Sequence, residues 1–140
     1  MRLKFTSISL ILLALLFFAG CKKDDSSTSP NTSAPVKMNI QTTTLDWGVL
    51  VYGQSIDKLY TFVNDAGSGS KLTGTVKITG DSFYIVNGSG TFSLLPGASR
   101  TVKVRFLPSG VGSFSGTLII NHNASNRATP LNVILAGSAH

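Results

Sequence analysis

A chain of 140 residues is long enough for one domain of ordinary size and too short for two, and its 13% charged and 42% hydrophobic content averages three unlike stretches: an apolar leader, a polar tract and a globular remainder. The formal charge of +6 falls to a mild +4 once Arg2 and Lys4 are removed with the leader. The basic residues of the folded part (Lys37, Lys58, Lys71, Lys77, Arg100, Lys103, Arg105 and Arg127) are scattered rather than gathered on one face among aromatics, which argues against nucleic acid as a partner. A single cysteine, Cys21, ends the leader, so the folded part has neither a disulfide nor a thiolate metal site, and packing must supply its stability.

Residues 1–4 carry Arg2 and Lys4, residues 8–19 are almost continuously apolar, and the small pair Ala19-Gly20 precedes Cys21. A helix over that apolar run reaches only about 18 Å, well short of the roughly 30 Å hydrocarbon layer of a bilayer. The expectation is a cleavable signal peptide over residues 1–20 rather than a membrane span. Phe18-Ala19-Gly20-Cys21 resembles the lipobox of bacterial lipoproteins, with Phe18 where Leu is usual. The resemblance implies cleavage before Cys21, a diacylglycerol on its sulfur and usually an acyl chain on its amino group. Several chains, each worth about 0.8 kcal/mol per buried CH₂, anchor stably where one would not.

Lys22-Lys23-Asp24-Asp25 follows, and residues 26–35 are Ser, Thr, Asn, Pro and Ala without apolar periodicity. Residues 21–35 therefore read as a lipidated cysteine and a disordered tether, whose coil spans on the order of 20 Å. The basic-then-acidic run resembles the export signal of Bacteroidetes-type lipoproteins, which implies display on the outside of the outer membrane. The alternative is a charged linker that merely keeps the tether solvated, with the domain facing the periplasm.

Residues 36–140 change to short alternating runs. Tyr60 and Phe62 share a face in residues 56–63, as do Leu72, Val76 and Ile78 in residues 72–78. In residues 101–106, Val102, Val104 and Phe106 face one way and Thr101, Lys103 and Arg105 the other. Phe114, Leu118 and Ile120, then Leu131, Val133 and Leu135, repeat the pattern, with shorter candidates at residues 38–42 and 83–86. Period two marks half-buried strands. Asn64-Asp65-Ala66-Gly67, Gly80-Asp81, Asn87-Gly88 and Pro108-Ser109-Gly110 are turn sequences, and Leu95-Pro96-Gly97-Ala98 suits a type II turn, with Pro at the first central position and Gly at the second. About seven short strands in roughly 100 residues predict an all-β, Ig-like antiparallel β-sandwich.

Leu45-Asp46-Trp47-Gly48 with Val49, Gly53-Gln54-Ser55, Asn64 with Gly67, Leu95-Pro96-Gly97, Val104 with Phe106 and Pro108, Gly112, Leu118 with Ile120 and Asn121, and Leu135 with Gly137 follow one pattern. It resembles the Ig-like domains called ASPM-SPD-2-Hydin and their bacterial relatives labelled choice-of-anchor D, over essentially residues 40–138, with Trp47 where Phe is usual. The resemblance implies a sandwich without an inter-sheet disulfide, used as a non-catalytic interaction or spacer module. One copy does not make a long stalk.

Catalytic groups are few. The chain has no Glu, and the domain's acids Asp46, Asp57, Asp65 and Asp81 fall at separate turns and strand ends, where Asp commonly caps backbone. His122 reads as an exposed histidine in the polar loop 121–127, and neither it nor His140 belongs to a metal-binding spacing, so no metal or cofactor is expected. Gly112-Ser113-Phe114-Ser115-Gly116 is not a GxSxG elbow, and Gly67-Ser68-Gly69-Ser70-Lys71 lacks the Walker spacing and reads as a flexible hairpin loop. The expectation is not an enzyme. Arg100, Lys103 and Arg105 read as a small positive stripe, which the bland alternative takes for a solvated strand face that discourages aggregation, while Tyr52 and Tyr84 offer apolar contacts. The expected function is a lipid-anchored interaction or adhesion module of the cell envelope that binds another protein through loops or an exposed strand edge. The alternative is an accessory glycan-binding module.

Overall fold

The computed structural model describes residues 33–140. The signal peptide, Cys21 and the tether up to residue 32 lie outside the described residues. The described residues form nine strands: β1 (Met38–Ile40), β2 (Thr44–Leu50), β3 (Ile56–Asn64), β4 (Leu72–Thr79), β5 (Phe83–Asn87), β6 (Gly90–Leu94), β7 (Ser99–Phe106), β8 (Gly112–His122) and β9 (Leu131–Ala139). They make a four-stranded sheet ordered β1-β3-β7-β5 and a five-stranded sheet ordered β2-β9-β8-β4-β6.

The alternation read in the sequence decides which side of each strand is inside. Tyr60, Phe62, Val102, Val104 and Phe106 of the first sheet face Leu72, Val76, Leu118, Ile120, Val133 and Leu135 of the second, and all are buried. Burying a side chain of this kind contributes about 1.5–3 kcal/mol, the main favourable term in a domain without a disulfide. Two strands escape the pattern. In β2 the register against β9 shifts between Asp46 and Val49, where Gly48 adopts φ +69°, so period two breaks. β6 is five residues between Gly88-Ser89 on one side and Leu95-Pro96 on the other, too short to show a period. The β2–β9 pair is parallel, unlike the others, and joins residues about ninety apart that no local pattern links.

The turn chemistry read from Leu95-Pro96-Gly97-Ala98 holds: Ala98 N donates to Leu95 O at 2.9 Å and Gly97 adopts φ +82°. The Gly67–Lys71 segment is different from its expected form. Ser68 is buried, its Oγ accepts from Lys37 N at 2.9 Å, and Gly69 N donates to Ala34 O at 2.9 Å. The small residues let residues 33–37 lie close across the loop. A Cβ on Gly69 would stand within 2.5 Å of Ala34 backbone.

The sandwich therefore has a proximal end, where residues 33–37 meet the loops at 64–71, 95–98 and 123–130, and a distal end with loops 51–55, 80–82 and 107–111. The distal end of the core is closed by aromatics. Phe83 stacks on Phe106 at 4.9 Å between centroids, Trp47 lies 5.3 Å from Phe83, and Phe114 lies 5.8 Å from Phe106. Such pairs add about 0.5–1.5 kcal/mol each beyond their burial. Trp47 Nε1 donates to Ile56 O at 3.0 Å, so the ring that plugs the core also holds the start of β3. Gly137 on β9 makes room for this cluster, because a Cβ there would stand 2.6 Å from the Phe106 ring. Gly137→Ala is expected to lower unfolding free energy by roughly 1–3 kcal/mol, the usual cost of overpacking a filled core, as measured by urea denaturation. An unchanged midpoint would mean that the ring can move freely.

Candidate functional site

Alternation along β7 sends Lys103 and Arg105 outward, and the register aligns Asp57 of β3, Arg105 of β7 and Tyr84 of β5 in one row across the sheet. Arg105 grips Asp57 with two bonds, Nε to Oδ1 at 2.7 Å and a second guanidinium nitrogen to Oδ2 at 3.1 Å, while Lys103 Nζ lies 4.0 Å from Oδ2. The Arg105 guanidinium holds the Asp57 carboxyl below the usual carboxylate range, and Asp57 in turn raises Arg105. Both groups are exposed, so solvent screens the pair. Asp57 offsets much of the positive charge expected here.

Arg100 does not join that surface. It sits three residues before Lys103, hence on the opposite face of the strand, where it donates to Gly88 O twice at 3.1 Å and to Ser89 O at 2.8 Å. Its guanidinium lies 5.8 Å from the Phe92 ring centre. It fastens the β5–β6 link. The expected stripe of three is thus two outward cations and one structural arginine, since side chains an odd number apart on a strand point to opposite faces. Tyr84 joins Lys103 and Arg105. Tyr52 lies apart, in loop 51–55 at the distal end.

His122 is not the exposed loop residue expected from its polar neighbours. It is the last residue of β8, follows Leu118 and Ile120 in facing inward, and is 7% exposed. Its Nδ1 accepts from Ala124 N at 3.2 Å and its Nε2 pairs with Ala128 O at 3.1 Å, which makes Nε2 the protonated nitrogen. Burial lowers its pKa, the Ala128 carbonyl opposes that, and Arg127 adds to the lowering. The ring shapes loop 123–130, which clasps the incoming chain. Ser125 N donates to Val36 O at 2.9 Å, Asn126 Oδ1 accepts from Met38 N at 2.9 Å, and Arg127 Nε donates to Met38 O at 2.8 Å. Asp46 and Asp65 have the backbone roles expected of turn aspartates, each accepting at 2.8 Å from the N–H two residues on.

Three of the four edge strands are poorly suited to pairing with another chain, and the fourth, β6, is a regular strand of only five residues. Asn126 and Arg127 occupy the outer backbone of β1, and register shifts interrupt β2 and β5. The distal end is different. Val49, Val51, Tyr52, Ile56, Leu107 and Val111 are all exposed there, Val111 by 74% and Val49 by 65%. Tyr52 N donates to His140 O at 2.9 Å, and Gly112 pairs with Ala139, so loops 51–55 and 107–111 flank the same strand end. Neither loop contains a charged residue. Beside them the β2 irregularity leaves an open depression of about 320 Å³, lined by Asp46, Gly48, Val49, Ser113 and Phe114 among others. The sequence reading named Tyr52 and missed the other five, which lie in three segments that only the fold brings to one end.

Comparison with known proteins gives a fold. The chain is similar to the ASH/PapD-like domain 7 of human CEP192, with a TM-score of 0.62 at 12% identity over 76% of this chain and 87% of that one. It is similar to a protein of unknown function from Porphyromonas gingivalis, with a TM-score of 0.61 at 17% identity over 81% of this chain and 51% of that one. A third likeness is to the secreted serine protease VesC of Vibrio cholerae, with a TM-score of 0.50 at 21% identity over 79% of this chain and 24% of that one. This chain thus spans about half of the second protein and a quarter of the third. No family model and no curated protein matches the sequence. The domain has the PapD-like, Ig-like β-sandwich fold.

Because the native state favours neutral His122, its contribution to stability is complete above the ordinary histidine value of 6.5 and is lost as pH falls from there through the depressed native value. Wild-type melting temperature is expected to fall between pH 7.5 and pH 5, a window above the carboxylates. His122→Gln is expected to be less stable at pH 7.5 but to show a flatter profile by circular dichroism. Equal slopes would remove His122 as the cause.

Proposed function

We propose that the chain is a non-catalytic interaction module, held in the outer membrane by lipid on Cys21 with its domain on the cell surface, and that it binds another protein through its distal loops. One observation carries this reading. Six of the eleven large apolar side chains exposed among the described residues lie at the end opposite to residues 33–37, four of them on loops without a charged residue. A patch of this kind on a soluble domain marks an interaction site, and a tether entering at the other end leaves it unobstructed. Three defended strand edges and the shortness of the fourth, β6, favour the loops over β-strand addition. The anchor rests on Phe18-Ala19-Gly20-Cys21, and the surface orientation on Lys22-Lys23-Asp24-Asp25.

The second reading, an accessory glycan-binding module, has in its favour the row of Tyr84, Arg105 and Lys103 on an uncovered sheet face. The Asp57 pairing weighs against it. Salt-sensitive binding on an array of acidic glycans is its test.

Cross-linking on intact cells is expected to recover an envelope protein from wild type and to lose it in Val111→Asp; recovery of nothing under several conditions would count heavily against the reading. Cys21→Ala is expected to abolish uptake of labelled palmitate, and added proteinase to digest the domain on intact cells. Protection from the protease would mean that the domain faces the periplasm.

A further inference from the structure

We infer that the distal loops also bind a second copy of this chain. The inference rests on the interaction-module reading above and names a partner for the same surface. The first argument is area. The six exposed side chains, between 40% and 74% accessible, present on the order of 500 Å², as large as the biggest apolar patch of a typical monomer. Two such patches face to face remove about 1,000 Å² from water, the lower bound for a specific interface. A contact of that size makes a weak, reversible dimer.

The second argument is charge. In a two-fold contact every residue of the patch meets residues of the same patch, so a charge within it faces its like. Loops 51–55 and 107–111 carry none. The titratable groups stand at its margin: Asp46 in the depression beside Val49, Asp57 next to Ile56, His140, whose O accepts from Tyr52 N at 2.9 Å, and Asp81 on loop 80–82, whose Ser82 O accepts from Leu107 N at 2.8 Å. The outer sheet face offers no such freedom, because it carries Lys103, Arg105 and Asp57. Self-pairing by strand addition meets the capped β1 and the irregular β2 and β5, and has only the five-residue β6 as a regular edge.

Geometry adds a consequence. β3 runs from Ile56 at the distal end to Asn64 at the proximal end, nine residues or about 30 Å. Two copies joined tip to tip therefore send their residues 33–37 away from opposite poles, roughly 60 Å apart. The contact suits chains held on two facing surfaces.

Sedimentation of residues 22–140 tests the dimer, since that span contains every described core residue and lacks Cys21, the only source of an intermolecular disulfide. A monomer–dimer equilibrium is expected between about 10 µM and 1 mM, weakened about tenfold or more by Val111→Asp or Tyr52→Asp. Both positions are exposed, and unchanged thermal unfolding verifies that each variant is folded. A monomer throughout, or a dimer that neither substitution weakens, overturns the inference. If the monomer still captures an envelope protein in cells, the homotypic partner falls and the interaction-module reading stands. If the tip-dependent dimer forms and cells yield no other partner, the inference stands and the heterologous reading falls. Coupling residues 21–140 through Cys21 to maleimide lipid tests the facing arrangement: wild type is expected to cluster vesicles and Val111→Asp to leave them dispersed, whereas wild-type vesicles that stay apart overturn it.

Discussion

The ring of Phe106 occupies the space where any residue but glycine at position 137 would carry its Cβ. That contact ties β7 of one sheet to β9 of the other, and around it gather Trp47, Phe83 and Phe114. With no cysteine in the folded part, this aromatic plug replaces the covalent staple that many small sandwiches use between their sheets. It also sets the distance between the sheets at the distal end. The loops that cross that end start from strands held on both sides, with Ile56 fixed by the Trp47 indole and Leu107 directly following Phe106.

The two ends of the sandwich are built on different chemistry. The proximal end is a polar lattice in which Asn64 Nδ2 donates to Ser70 O at 3.1 Å and Leu94 O at 2.9 Å, while loop 123–130 fastens residues 36–38 through side chains and backbone. Within it, Asn64 Oδ1 is the one buried side-chain acceptor among the described residues without a partner. The distal end closes by ring packing and leaves short loops with apolar side chains outward. The domain is thus polar where residues 33–37 arrive and apolar at the opposite pole.

Charge follows the same division of labour. Arg100 and Arg105 lie five residues apart on one strand, yet one closes a loop over Phe92 and the other pairs with Asp57. A basic count taken from composition therefore does not say which cations are free to meet a partner, because several are already engaged within the domain. Lys58 behaves likewise, donating to Asp46 O while its ammonium lies 5.7 Å from the Trp47 ring centre.

Much of this was legible in the sequence, for a physical reason. Alternation and turn chemistry are local, so β3, β4, β7, β8 and β9, the inward faces of their strands and the Leu95–Ala98 turn could be read from neighbouring residues. The signal peptide, the lipid on Cys21 and the tether are likewise read from local texture, and they remain proposals. Tertiary structure decided what depends on distant residues. It paired β2 with β9 in parallel, turned Arg100 inward, buried His122 beneath a loop that composition alone called exposed, and gathered Val49, Val51, Tyr52, Ile56, Leu107 and Val111 at one pole. A sequence pattern reports which face of its own strand a side chain takes, whereas the company it keeps is set by which strands pair and where their loops end.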